Sequence, residues 1–121
     1  MAGITGIGGI FIRSRDPKAL SAWYRDVLGI ALETWGGAIF RQGPKSPPQA
    51  VWSAFEEGTQ YFVPSTREVM INFAVDNLDA YLAQIEAKGV KPVGKMQTDP
   101  NGKFAWILDP DGTKIELWEP K

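Results

Sequence analysis

A single carboxylate near the C-terminus is the side chain in this sequence best placed to do chemistry. Glu116 lies in the stretch DPDGTKIELWEP, between Ile115 and Leu117, which both favour a core. Because side chains alternate across a strand, Glu116 points away from these two neighbours. Four roles fit a carboxylate in this position: a metal ligand, a general base, a contact to a small molecule, or a solvated surface residue.

The chain contains no histidine and no cysteine. Histidine most often serves as general base and metal ligand near neutral pH, so its absence excludes Ser-His-Asp, Cys-His and HExxH chemistry. The lack of cysteine excludes disulfides, thiolate metal sites and a thiol nucleophile. A metal site would need oxygen ligands, which suit Mg²⁺ or Ca²⁺ and do not suit Zn²⁺.

Length and charge are typical of an ordinary globular chain. The 121 residues fit one domain, and the net charge of −1 provides no basic surface for nucleic acid or anionic lipid. No apolar run approaches the roughly 20 residues of a membrane span. The N-terminus lacks a cationic segment followed by an apolar one, so we expect a cytoplasmic protein with neither nucleic-acid nor membrane partners.

Two segments with the same plan indicate an internal structural repeat. Ile10–Ile30 and Ile71–Val90 each contain an alternating strand, an aspartate, a helix and a glycine. Asp16 suits a helix N-cap, and Gly29 suits the residue after the helix, where positive φ is needed. Apolar residues at helical spacing predict one buried side on each helix. They are Leu20, Trp23, Tyr24, Val27 and Leu28 in the first helix and Leu78, Tyr81, Leu82 and Ile85 in the second.

Short strands after each helix complete two βαβββ modules, at about residues 1–60 and 66–121, in an α+β fold of eight strands and two helices. The stretches DPNG and DPDG are turn signals in the second module, and a proline-rich loop covers residues 43–48 in the first. The strands predicted after the helices are Ile30–Thr34, Ala38–Gln42 and Ala50–Glu56, then Lys91–Gln97, Lys103–Leu108 and Lys114–Glu119.

Alternation along the strands predicts one sheet face that mixes aromatic and polar side chains, while the other face carries aliphatic residues that pack on the helices. Such a mixture is more typical of a ligand pocket or an interface than of a solvated surface. The predicted members of this face are Phe11, Arg13, Trp52, Met70, Asn72, Glu116 and Trp118.

The order and spacing of these motifs resemble the vicinal oxygen chelate superfamily of glyoxalases, bleomycin-resistance proteins and extradiol dioxygenases. WYRDVLGI (Trp23–Ile30) and DPDGTKIEL (Asp109–Leu117) are the most specific pieces, and the resemblance covers essentially the whole chain. It implies that two βαβββ modules form a curled mixed sheet around a cavity. It also implies that two copies of the chain form a homodimer.

Metal-dependent members of that superfamily place one ligand on the first strand and one on the fourth strand of each module. Carried over by position, these ligands fall on Gly9, near Trp52, on Met70 and on Glu116. Glycine has no side chain and a methionine thioether favours soft Cu(I), so Glu116 alone suits a hard cation. Glu56 shares the predicted face of Trp52 and is the alternative second carboxylate. We therefore expect no metal and no other cofactor.

The first functional hypothesis is a metal-independent small-molecule-binding protein of the bleomycin-resistance kind, which sequesters an antibiotic or a metabolite. Aromatic walls favour planar ligands and cations, and a few polar groups would orient the ligand. The expected packing residues are Phe11, Trp52, Met70, Trp106 and Trp118, and the expected polar contacts are Arg13, Asn72 and Glu116.

Two alternatives stay open. The first is a lyase or isomerase that uses Glu116 as its base or as a residual metal ligand, with Arg13 or Arg41 to stabilise an enolate. The second is a dimeric interaction domain without a ligand, in which Glu116 pairs with Lys114 or Arg13.

Overall fold

The structure, a computed structural model, describes residues 2–41 and 49–121. The predicted proline-rich loop at 43–48 lies outside the described residues. No helix in the described part of the chain is long and apolar enough to span a bilayer. The elements in chain order are β1 (Ile4–Ser14), α1 (Pro17–Leu28), β2 (Ala38–Arg41), β3 (Gln49–Glu56), β4 (Val69–Val75), α2 (Leu78–Glu86), β5 (Gln97–Asp99), β6 (Gly102–Leu108) and β7 (Lys114–Pro120).

The strands form one mixed sheet in the order β2-β3-β1-β4-β7-β6-β5. β1 and β4 lie side by side at its centre and run antiparallel. β3 runs parallel to β1, and β7 runs parallel to β4, so the same arrangement occurs on both sides of the centre. We call β1 to β3 with α1 the first half, and β4 to β7 with α2 the second half. The predicted α+β fold with a curled mixed sheet is confirmed.

Two of the predicted strands are wrong. Residues 30–34 form a loop that leads into a tight turn, in which the Glu33 amide donates to the Gly37 carbonyl at 2.7 Å. In the second half, Gln97 is the one residue of predicted strand 91–97 that joins β5. Gly94 interrupts the extended chain there, because its φ of 74° lies in the left-handed region.

The pairing register assigns the side chains to the two faces of the sheet. Gly9 pairs with Asn72, and Phe11 pairs with Met70. Asn72 also pairs with Glu116 across the neighbouring strands. Residues paired in register share a face, so these five residues lie together on what we call the site face. The helices pack on the other face, which we call the outer face.

The side chains of β3 point to the opposite faces of the sheet from those predicted. Phe11 pairs with Ser53, so Ser53 and its alternate neighbours belong to the site face. The prediction that Trp52 lies there is wrong, because its ring packs on Tyr24 of α1 with centroids 4.2 Å apart. Glu56, two pairs further along, is also on the outer face. Both alternating sets of VWSAFE contain large apolar residues, so hydrophobicity alone does not fix the register of β3.

The second half closes a core between α2 and the outer face. Asn77 caps α2 by accepting from the Ala80 amide at 3.1 Å, and Leu78, the first residue of the helix, is fully buried. The predicted apolar side of α2 is confirmed. The buried members of this core are Val75, Leu78, Ala105 and Leu117, with Phe73, Tyr81, Leu82, Ile85, Ile107 and Ile115 packed against them.

The first half leaves much of its helix uncovered. Asp16 caps α1 by accepting from the Ala19 amide at 3.0 Å, and Gly29 ends it with φ of 74°, as predicted. The predicted burial of the apolar side is wrong for three residues, since Trp23, Val27 and Leu28 are 49%, 60% and 55% exposed. Helical periodicity finds an apolar stripe, but it does not show that the same chain supplies a surface to cover it.

Candidate functional site

Glu116 lies in the middle of the site face and is 2% exposed. It accepts from Asn72 Nδ2 at 2.6 Å and from Trp106 Nε1 at 2.9 Å. The Tyr61 hydroxyl is its third donor. A buried carboxylate requires such partners because an unpaired charge in a low-dielectric interior is very unfavourable. Glu116 is therefore the centre of an organised polar cluster and not a solvated surface residue.

Strand pairing positions two of the three donors. The parallel register of β4 and β7 places Asn72 directly beside Glu116. The antiparallel register of β6 and β7 places Trp106 directly opposite Glu116 on the other side. Both contacts follow from the sheet itself, so the cluster is built on rigid elements.

The third donor comes from the segment that connects the two halves, residues 57–68. The Tyr61 ring stacks on Phe55 of β3 with centroids 5.5 Å apart and planes at 15°. The Lys114 ammonium donates to the Tyr61 carbonyl oxygen at 2.6 Å. These contacts hold the connecting segment across part of the site face.

The polar cluster shifts the titration of two of its members. Burial raises the pKa of the Tyr61 phenol well above its ordinary value near 10, and the negative charge of Glu116 acts in the same direction. Burial lowers the pKa of the Lys114 ammonium, while the charge of Glu116 opposes that change. Tyr61 therefore stays a protonated donor to Glu116 across the physiological range.

A cavity of about 220 Å³ lies beside Glu116 on the site face. The rings of Phe104 and Trp118 stack along it, with planes at 10° and centroids 6.3 Å apart. Aromatic walls with a few buried polar groups are typical of small-molecule sites. The first half lines this cavity with Gly8, Phe11, Trp35, Ile39 and Val51, and the second half lines it with Asn72, Asn101, Phe104, Glu116 and Trp118.

Asn72, which lines this cavity, has a buried acceptor without a partner. Asn72 is 3% exposed, and its Oδ1 atom has no hydrogen-bond donor among the described residues. A Cβ atom added at Gly8 would lie 2.3 Å from that oxygen and 2.8 Å from the Trp118 ring, so the close approach needs glycine. A buried acceptor without a donor costs about 1–3 kcal/mol, and native proteins contain few of them. The oxygen therefore suits a donor supplied from the cavity.

Four of the predicted ligand-binding residues line this cavity, namely Phe11, Asn72, Glu116 and Trp118. Trp106 lies behind Glu116 and faces a separate hollow of about 210 Å³, which Lys114 also lines. The binding roles of these residues stay predictions, but their placement on the site face is as expected.

The remaining predicted residues serve other contacts. Met70 is fully buried in a core cluster with Phe11, Phe62 and Trp106. Arg13 shares the site face, but its Nη2 donates to the Ser65 carbonyl at 3.1 Å and its guanidinium lies 5.0 Å from the Phe62 ring. Neither residue lines the cavity, and neither does Trp52. The ligand contacts predicted for these three residues stay predictions that the lining of the cavity does not support.

Several residues at the cavity or beside Glu116 were not predicted from the sequence, for identifiable reasons. Phe104 alternates with Trp106 along β6, so the rule that found Trp118 would also have found it. Val51 was not predicted because alternation along β3 was assigned to the opposite faces of the sheet. Tyr61 and Asn101 lie in irregular segments, where no periodicity indicates the direction of a side chain.

A larger hollow of about 770 Å³ lies on the outer side, between α1 and the loop before β2. Its lining includes charged side chains of both signs, such as Lys18, Arg25, Glu33 and Glu56. The buried, unpartnered polar atoms found in the described ranges belong to Arg13 and Asn72, which do not line this hollow. The smaller cavity beside Glu116 is therefore the candidate site.

In the superfamily that the chain resembles, four positions hold metal ligands. The side chains at these positions in this chain do not suit a metal. The pairing of Phe11 with Ser53 matches the pairing of Asn72 with Glu116, so Ser53 is the counterpart of Glu116 in the first half. The other two positions are Gly9, where an added Cβ would lie 2.9 Å from a backbone oxygen, and the buried Met70. Within residues 2–41 and 49–121, no three His, Cys, Asp or Glu side chains form a cluster that could hold a metal ion.

Comparison with solved structures finds the same fold in two epimerases. A methylmalonyl-CoA epimerase from Mycobacterium tuberculosis is 24% identical, with a TM-score of 0.68 over 98% of this chain and 89% of that one. The Streptomyces coelicolor methylmalonyl-CoA epimerase, in complex with 2-nitronate-propionyl-CoA, is 20% identical, with a TM-score of 0.71 over 98% and 99% of the two chains. Identities this low show the shared fold alone.

Sequence comparison identifies the family. The uncharacterized protein YaeR of Escherichia coli (strain K12) is 29% identical over 134 aligned positions, which cover 98% of this chain and 99% of YaeR. A family model described as the Glyoxalase/Bleomycin resistance protein/Dioxygenase superfamily matches residues 6–117, nearly the whole chain. The chain therefore belongs to the glyoxalase/bleomycin resistance protein/dioxygenase superfamily.

Proposed function

We propose that this protein binds a small planar molecule, an antibiotic or a metabolite, in the cavity beside Glu116 and does so without a metal. The observation that carries the proposal is the buried Glu116–Asn72 pair at an aromatic-walled cavity, with one acceptor of Asn72 unsatisfied. Ligand sites of soluble proteins combine apolar walls with a few such convergent polar groups.

The residues at the four metal-ligand positions support binding without a metal. Of the four positions that hold ligands in metal-dependent relatives, Gly9, Ser53 and Met70 provide no carboxylate or imidazole, and Glu116 already accepts three hydrogen bonds. A hard divalent cation requires several oxygen ligands, so one engaged carboxylate is a weak site.

Tryptophan fluorescence tests the proposal, because Trp35 and Trp118 line the cavity. We expect saturable quenching by at least one compound in a panel of planar antibiotics and metabolites. Val51→Phe should abolish the quenching by filling the cavity. The matched control Val27→Phe, on the exposed surface of α1, should retain it. A flat response across the panel, or quenching that survives Val51→Phe, would contradict the proposal.

An isomerase is the second candidate, since a buried carboxylate in a cavity and the fold of methylmalonyl-CoA epimerases both favour it. Glu116 would act as the base. Neither of the predicted arginines is placed to stabilise an enolate in the cavity. Arg13 donates to the Ser65 carbonyl and does not line the cavity, and Arg41 lies exposed on the edge strand β2. Deuterium exchange at the α-carbon of an acyl thioester, abolished by Glu116→Gln, would favour this candidate over simple binding.

A homodimer is our proposal for the assembly, in keeping with the family resemblance. Exposed apolar residues of the outer side, including Ile7 and Ile10 of β1 and Trp23 of α1, support it. Light scattering coupled to size exclusion should give twice the mass of the chain. A mass of one chain at all concentrations would contradict it.

A further inference from the structure

The lining of the cavity carries one formal charge, and it is negative. Of the ten residues that line it, Glu116 is the one ionisable acid, and no lysine or arginine contributes from the described part of the chain. A charge in a low-dielectric wall acts strongly on a ligand because little water screens it. The cavity therefore favours positive charge and disfavours anions.

Two acceptors at this cavity have capacity for a donor from outside the chain. Glu116 Oε1 accepts one hydrogen bond, from Asn72, although a carboxylate oxygen has two lone pairs. Asn72 Oδ1 has no donor among the described residues, and its amide orientation is fixed because Nδ2 donates to Glu116. Two adjacent acceptors match a ligand group that carries two or more N–H bonds.

Lys114 is the cation of the polar cluster, but it does not supply the positive charge that the cavity favours. Lys114 donates to the Tyr61 carbonyl and lies over the Tyr61 and Trp106 rings, 5.5 and 5.6 Å from their centroids. It lines the separate hollow on the far side of Trp106. Lys114 offsets part of the charge of Glu116, but it donates no hydrogen bond to the acceptors of the cavity.

The aromatic walls and the volume of the cavity restrict the shape and size of the ligand. Phe11, Phe104 and Trp118 present aromatic rings, which attract cations through their faces and pack on flat groups. A cavity of roughly 150 Å³ is known to hold one benzene molecule. The volume of about 220 Å³ here therefore accommodates one ring with a small substituent.

We infer that the cavity binds a small organic cation, one planar ring bearing an amidinium, guanidinium or ammonium group whose N–H bonds reach Glu116 and Asn72. The inference rests on the proposed function and adds the chemical class of the ligand. Its charge would face Glu116, its donors would satisfy Asn72 Oδ1, and its ring would lie against Phe104 and Trp118.

Three probes of nearly the same shape test the role of charge: benzamidinium, benzamide and benzoate. The indole N–H NMR signals of Trp106, which donates to Glu116, and of Trp118 report occupancy of the cavity. We expect benzamidinium to bind at least about tenfold more tightly than benzamide, because hydrogen bonds to a charged group are about twice as strong as neutral ones. Benzoate should not bind.

Substitutions test whether the preference for benzamidinium over benzamide arises in the cavity. Glu116→Gln should reduce the preference for benzamidinium over benzamide to about twofold or less. The control Glu56→Gln removes a carboxylate on the outer face and should leave the preference unchanged. If Glu116→Gln does not fold, the exposed Asn101 at the cavity provides a second variant. Asn101→Lys should weaken benzamidinium binding by about two- to fivefold, and Asn101→Asp should strengthen it.

The outcomes separate this inference from the proposed function. Equal binding of all three probes, tighter binding of benzoate, or an unchanged preference in Glu116→Gln would overturn the inference and leave the proposed function standing. Binding of none of the three would also overturn it, and the fluorescence panel would then decide the proposed function independently.

Discussion

The two halves of the sheet share one plan but contribute opposite chemistry to the cavity. The pairing of Phe11 with Ser53 in the first half matches the pairing of Asn72 with Glu116 in the second. At the matched positions the first half thus has an aromatic ring and a small hydroxyl, where the second has an amide and a carboxylate. The first half forms an apolar wall of the cavity, and the second half carries the buried amide and carboxylate beside it.

The outer face shows the same contrast in packing. α2 covers a closed core, whereas α1 exposes Trp23, Val27 and Leu28. A structural repeat therefore preserves the path of the backbone while its halves diverge in burial and polarity. The second half contains the closed core and the polar cluster. The first half contributes apolar wall to the cavity on one face and an uncovered helix on the other.

The largest effect should come from removing core volume in the second half. Leu78→Ala should lower the free energy of unfolding by about 2–5 kcal/mol, because the side chain is fully buried. Val27→Ala in α1 should change it by less than about 0.5 kcal/mol. Urea unfolding of both variants at the same low protein concentration compares the two. Equal losses would remove the contrast between the helices.

A smaller effect should separate Glu116 from its counterpart. Glu116→Gln should cost about 1–3 kcal/mol, because the amide replaces a charged acceptor and places an NH₂ group among three donors. Ser53→Ala should cost less than about 0.5 kcal/mol. Thermal unfolding at neutral pH measures both. A larger loss in Ser53→Ala would show that the first half also carries a polar centre.

The smallest effect concerns Tyr61, which links the halves. Tyr61→Phe should cost about 1 kcal/mol at neutral pH, the value of one hydrogen bond. The pKa of Tyr61 is higher in the folded state than its unfolded value near 10, so its contribution is complete below pH 10 and decreases as pH rises above it. Wild type should therefore lose stability faster than Tyr61→Phe above pH 10. Parallel unfolding curves would contradict a raised pKa.

Sequence patterns predicted the fold well because its signals are local. Helix caps at Asp16 and Gly29 and the turns before β6 and β7 depend on a few neighbouring residues. Alternation in β7 correctly separated Glu116 and Trp118 from Leu117, since the aliphatic set there has one obvious face.

The site was less predictable because it depends on contacts distant in sequence. The parity of β3 is set by pairing with β1, about 40 residues away, and both of its faces contain large apolar residues. Tyr61 reaches Glu116 from a segment without periodicity, across 55 residues of chain. Whether the stripe of α1 is covered depends on surfaces that no local pattern describes.

A crystal structure of the protein with the compound that quenches its fluorescence most strongly tests the central claim directly. We predict that the compound lies between Val51 of the first half and Trp118 of the second, with a donor on Asn72 Oδ1. A compound bound in the outer hollow beside α1, with the cavity at Glu116 empty, would contradict the account.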